Sequence, residues 1–85
     1  MPLFHKPSLW DDCFEAKKQT LETMYSAARM RNSDGASVKA DTNKYAANDL
    51  RLRPALEQGH DLGSAVERYI QGDRRALDML RGPKD

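Results

Sequence analysis

The stretch LWDDCFEAKKQTLETMYSAARMR, residues 9–31, decides the fold. Leu9, Trp10, Cys13, Phe14, Leu21, Met24, Tyr25 and Ala28 recur at three- and four-residue steps. That spacing puts side chains on one face of an α-helix. Ser8 stands just before the stretch with Asp11 three positions on, close to a capping box. Asp11, Asp12 and Glu15 sit in the first turns, and Arg29 and Arg31 in the last. This order complements the helix dipole. The stretch reads as one amphipathic helix over 9–31. Lys17 alone interrupts the stripe, between Phe14 and Leu21. The simpler expectation is a stem lying on apolar surface with its ammonium in water, so that methionine there would be neutral or stabilising. The sharper one is a partly buried lysine paired with a carboxylate of another helix or of a partner.

The length of this helix constrains everything after it. At 1.5 Å per residue it is about 35 Å long, whereas a compact chain of this size is only about 30 Å across. Shorter segments must cover its stripe end to end, or part of it is left to another molecule. The remaining sequence supplies such segments. Residues 32–43, NSDGASVKADTN, read as a polar loop, with Asp41 or Thr42 capping a second helix that carries Tyr45, Ala46, Leu50 and Leu52. Pro54 places a break near 52–53 and opens a short helical turn ending at Gly59. Asp61 caps DLGSAVERYIQG, whose Leu62, Val66, Tyr69 and Ile70 share a face, although Gly63 and Ser64 weaken its first turn. Gly72 is its left-handed stop. Asp73 then caps a last helix over 74–81 with Ala76, Leu77 and Leu80 on one side, ended by Gly82 and Pro83. Residues 1–7, with two prolines, form an extended lead-in. The fold class is all-α: a long first helix packed against two or three shorter ones, a single small helical bundle or hairpin-like domain.

The bulk composition narrows the function. The chain has 85 residues, a net charge of +1 and 32% charged residues, with no acidic or basic tail. No run approaches the length of a membrane span, and MPLFHKPSLW lacks the apolar core of a secretory signal. The single cysteine, Cys13, excludes an internal disulfide and suits a reducing compartment, so a cytoplasmic protein is expected.

No catalytic or cofactor motif emerges. His5, His60 and Cys13 are the only imidazole or thiol ligands, and they lack the paired spacing of a zinc site. Cys13 shares the apolar face with Trp10 and Phe14, the setting of an inert thiol rather than a nucleophile. The glycines do not assemble into a phosphate loop. An enzyme is therefore not expected, and no metal or cofactor is implied. The expectation is a small non-catalytic interaction protein (a regulator, inhibitor or adaptor) that binds a partner or itself as a homodimer. Trp10, Phe14, Lys17, Leu21, Met24 and Tyr25 form the candidate contact, since aromatic residues and methionine are enriched in interfaces. The alternative is a nucleic-acid-binding regulator using Arg51, Arg53, Arg68, Arg74, Arg75 and Arg81. Against it, Glu57, Asp61, Glu67, Asp73 and Asp78 are interleaved with these arginines and cancel much of the basic excess that phosphate binding needs. A helix-turn-helix over 62–81 is the specific form of that alternative.

Overall fold

The computed structural model describes the backbone of residues 9–81 and the side chains of residues 14–81. The extended lead-in, Ser8, His5, the side chains of Trp10 and Cys13, and the Gly82–Pro83 stop lie outside the described residues. Within them the architecture is all-helical: α1 (Leu9–Arg31), α2 (Gly35–Ala46), α3 (Arg53–Glu57), α4 (Leu62–Ile70) and a closing 3-10 turn (Asp78–Arg81). No described helix is long and apolar enough to cross a membrane.

The first helix is a single rod of 23 residues, as its periodicity requires. Phe14, Leu21, Tyr25 and Ala28 are buried along it, with Met24 partly buried at the edge. Asn32 ends it by giving both its backbone N–H and its side-chain amide to the Ala28 carbonyl, at 3.0 and 2.9 Å.

The segment expected to be a loop over 32–43 is mostly helix, and this is the main correction to the sequence reading. The connection is only Asn32–Asp34, and α2 begins at Gly35. Asp34 is the cap: its carboxylate accepts the Ser37 N–H at 2.9 Å. Asp41 and Thr42 are not caps. The Asp41 carboxylate faces α1, where Arg31 and Asn32 donate to it. The Thr42 hydroxyl is buried and donates back to the Val38 carbonyl at 2.8 Å, which removes its competition with the helix. The buried face of α2 is Val38, Thr42 and Ala46. These four-residue steps are helical, but the side chains are too small and polar to register as an apolar stripe. Small side chains also bring backbones together, and α2 packs on both α1 and α4.

Residues 47–52 turn back, with the Asp49 carboxylate accepting the N–H groups of Arg51 and Leu52. Leu52 is fully buried and Leu50 points outward. The break before Pro54 is where the sequence puts it, with the proline in the first turn of α3. Asp61 caps α4 as expected, accepting the Ser64 N–H at 3.1 Å and the Ser64 hydroxyl at 2.9 Å. Gly72 ends α4 with φ +113°, its N–H on the Tyr69 carbonyl at 3.0 Å and the Asp73 N–H on the Arg68 carbonyl at 2.9 Å. That bond pair is a Schellman stop. Beyond it the expected helix over 74–81 is absent. Residues 74–77 form turns, and only Asp78–Arg81 is helical, as a 3-10 turn. Ala76, Leu77 and Leu80 are nonetheless buried together, so the apolar spacing describes the packing although the helix does not form.

Gly63 earns its place by packing rather than by weakening a helix start. A Cβ there would collide with the Lys39 backbone of α2, with the Lys39 Cα only 2.7 Å away. Asn43 locks the same crossing: its amide donates to Asp61 at 2.7 Å and its carbonyl accepts the Gly63 N–H at 3.0 Å. Gly63→Ala is therefore expected to destabilise the fold by about 1–3 kcal/mol, against the usual gain of alanine in a helix. Urea unfolding followed by circular dichroism measures this directly.

Candidate functional site: the first helix and its C-terminal cover

The stripe expected to meet a partner is closed largely by the chain itself. Phe14, Leu21 and Tyr25 are 5%, 0% and 6% exposed, so none offers a free docking surface in this form. Different elements cover different lengths of it. Toward the C-terminus of α1, α2 and α4 close over it. The Tyr25 hydroxyl donates to Glu67 of α4 at 3.1 Å, and Lys39 of α2 approaches the other Glu67 oxygen at 3.5 Å. One carboxylate thus ties three helices. Burial, and then the Glu67 contact, push the Tyr25 phenol above its ordinary pKa.

Around Phe14 the cover includes a less regular element. Residues 73–81, here called the strap, bring Leu77 and Leu80 into the same apolar cluster as Phe14 and Leu21. Lys17 donates from Nζ to the Leu80 carbonyl at 3.0 Å, a bond between residues 63 positions apart. Neither sequence expectation for Lys17 describes this, because its partner is a backbone carbonyl. The Arg81 guanidinium lies 3.9 Å from the centre of the Phe14 ring. The Lys18 ammonium lies 5.0 Å from that ring and 5.1 Å from the Tyr69 ring of α4. These are cation–π distances. The neighbouring Tyr69 side chain raises the Lys18 pKa against the opposing effect of burial.

Of the residues proposed for partner contact, the structure brings Phe14, Lys17, Leu21, Met24 and Tyr25 onto one side of α1. Three of these are core, Lys17 is a tether, and Met24 borders a shallow depression with Gln19, Thr20 and Thr23. Arg81 and Glu67 complete the arrangement; the sequence singles out Arg81 only as a candidate nucleic-acid contact and Glu67 only as an acid offsetting it, because their partners here are distant in the chain.

The arginines are dispersed and mostly engaged with their own chain. Arg51 reaches Thr20 and Asp49, and Arg53 reaches the Ala47 carbonyl. Arg68 lies 3.6 Å from Asp73, and Arg81 the same distance from Asp78. Arg74 and Arg75 are exposed on the turn after Gly72. The helix-turn-helix form fails outright, since a recognition helix cannot be built from turns and a four-residue 3-10 segment.

An open cleft of about 450 Å³ lies where α1, α2 and α4 meet, with Tyr25, Arg29, Val38, Glu67 and Ile70 in its walls. Among the described residues no three His, Cys, Asp or Glu side chains gather as a metal site would need. No family model matches the chain, and neither does any curated protein or solved structure.

Two outcomes follow for this region. Lys17→Met is expected to cost about 1 kcal/mol by losing the charged bond to the Leu80 carbonyl, read as a lower urea midpoint. The second concerns acid. The Asn43 amide, and then the Ser64 N–H, hold the Asp61 carboxyl below the usual carboxylate range, with burial opposing them. Its folded pKa is thus below its unfolded one. The associated stability is complete above the unfolded pKa and drains away as pH falls through the folded value. The urea midpoint is expected to fall between about pH 5 and pH 2, and to fall less steeply in Asp61→Asn.

Proposed function

We propose that this chain is a small non-catalytic protein-interaction module, a regulator, inhibitor or adaptor, that works through its first helix. The observation that supports this reading is the character of the cover over Phe14 and Leu21. Elsewhere the stripe meets regular helices, whereas here it also relies on a short strap of turns, tethered by one lysine hydrogen bond and stacked by one arginine. Such a cover is the kind of element that opens locally at less cost than unfolding the whole domain. Once lifted, it uncovers an apolar groove with a cation on its rim, suited to a partner segment that carries leucines. The binding surface is therefore the inner face of α1, and it becomes available by exchange rather than standing open. A cytoplasmic setting fits the single cysteine.

The test compares three forms of the immobilised protein against host extract: wild type, Leu80→Ala, and Leu80→Ala combined with Lys17→Glu. Leu80→Ala loosens the strap at a cost of about 2–5 kcal/mol. It is expected to retain a specific protein more strongly than wild type, and the added Lys17→Glu is expected to release it. Equal retention by all three forms would contradict the reading. Salt-sensitive binding of wild type to generic duplex DNA would favour the arginines instead.

A further inference from the structure

We propose that one occupant of the Phe14–Leu21 groove is the strap of a second copy, so that two chains exchange residues 73–81 and close each other's first helix. This inference rests on reading that groove as a docking surface, and it names a partner for it. The chemistry of the fit is already visible within one chain. Leu77 and Leu80 belong to the same buried core as Phe14 and Leu21, the 3-10 turn packs on α1, the Leu80 carbonyl accepts from Lys17, and Arg81 stacks on Phe14. A second copy presents the same groups in the same order, so exchange reproduces every one of these contacts. The balance between closed monomer and exchanged dimer is then set by the hinge and by concentration.

The hinge is favourable for such exchange. Residues 71–75 are all exposed, so straightening them uncovers no core and gives up to water the two Schellman bonds that end α4. Among the described residues the 3-10 turn makes its extensive contact with α1. The root of the strap is tied to α4 by the exposed Arg68–Asp73 pair and by the Asp73 N–H on the Arg68 carbonyl. Giving up those two ties frees the strap to leave as a unit. The Lys17 bond, the Arg81 stack and the buried leucines hold it back, and the chain reverses at the tight turn where Gly72 sits at φ +113°. Only glycine adopts that conformation without strain. An extended hinge does not need it.

This makes the backbone at Gly72 a switch between the two forms, and Gly59 supplies the matched control. Gly59 also sits at a positive φ, +96°, at the end of α3, far in the chain from the strap. A Cβ at either glycine meets nothing within 4 Å, so alanine there brings backbone strain without a clash. In Gly72→Ala the strain burdens the closed monomer and is relieved in both hinges of the exchanged dimer. In Gly59→Ala it burdens monomer and dimer alike.

The experiment is sedimentation equilibrium of wild type, Gly72→Ala and Gly59→Ala up to about 1 mM, the range of effective concentration for a tethered segment. Gly72→Ala is expected to dimerise at least about tenfold more tightly than wild type. Gly59→Ala is expected to lose thermal stability with its association unchanged. In a mixed-label Gly72→Ala sample, isotope-filtered NMR is expected to show contacts between the Phe14 ring of one copy and the Leu80 methyls of the other. The same contacts are expected in wild type refolded at about 1 mM, which keeps the test open if Gly72→Ala fails to fold. A monomeric Gly72→Ala, equal dimerisation of Gly59→Ala, or Phe14–Leu80 contacts confined to one chain would each overturn the exchange. Those results would leave the groove as a site for a foreign protein, which the Leu80→Ala retention experiment reads separately.

Discussion

The structure depends on covering one apolar stripe that runs along a helix of about 35 Å. No later element matches that length: α2, α3 and α4 have 12, 5 and 9 residues. A single antiparallel partner cannot close the stripe, so the cover is assembled from pieces. α2 and α4 take the half around Tyr25 and Ala28, and the strap joins the cover around Phe14. Each piece buries few large side chains, and the fully buried ones are mostly leucines: Leu21, Leu52, Leu62, Leu77 and Leu80. A core made this way is distributed over several short contacts, each of which can be lost separately.

Polar ties compensate for the shortness of the pieces by fixing how they cross. Glu67 joins Tyr25 of α1 to Lys39 of α2 from its own position on α4. Asp41 holds α2 to the end of α1 through Arg31 at 2.8 Å and Asn32 at 3.0 Å. Burial alone would raise the Asp41 pKa, but those two donors outweigh it and the carboxyl is held low. Asn43 and Gly63 set the approach of α4 to α2. These contacts are only partly buried, so their worth lies more in orientation than in free energy. The strap has a thinner set: the Lys17 tether, the Arg81 stack, the exposed Arg68–Asp73 pair at its root, and its own short turns.

Much of this was legible in the sequence, and the exceptions have physical causes. The long helix was legible because eight apolar side chains keep its period, and α4 because Asp61 and Gly72 mark its ends. α2 was hidden because its buried side is Val38, Thr42 and Ala46, and because Asp41 and Thr42 look like caps when their tertiary partners are unknown. The strap was half legible. The spacing of Ala76, Leu77 and Leu80 identified what would be buried, while the backbone between Arg74 and Leu77 took turns rather than a helix. The candidate site was legible as a stripe but not as a covered one. Whether an amphipathic face is free depends on distant residues such as Leu80 and Arg81, and no local pattern encodes that.

Native-state hydrogen exchange of the full chain tests most directly whether the strap is a separable cover. The relevant amides are those of Ala76 and Leu80, bonded to the Asp73 and Leu77 carbonyls at 3.1 and 3.0 Å. They should exchange through an opening that costs clearly less than the opening that exposes the amides of Thr42 and Val66. Exchange of all four amides through one common global unfolding event would contradict a cover that lifts from the first helix on its own.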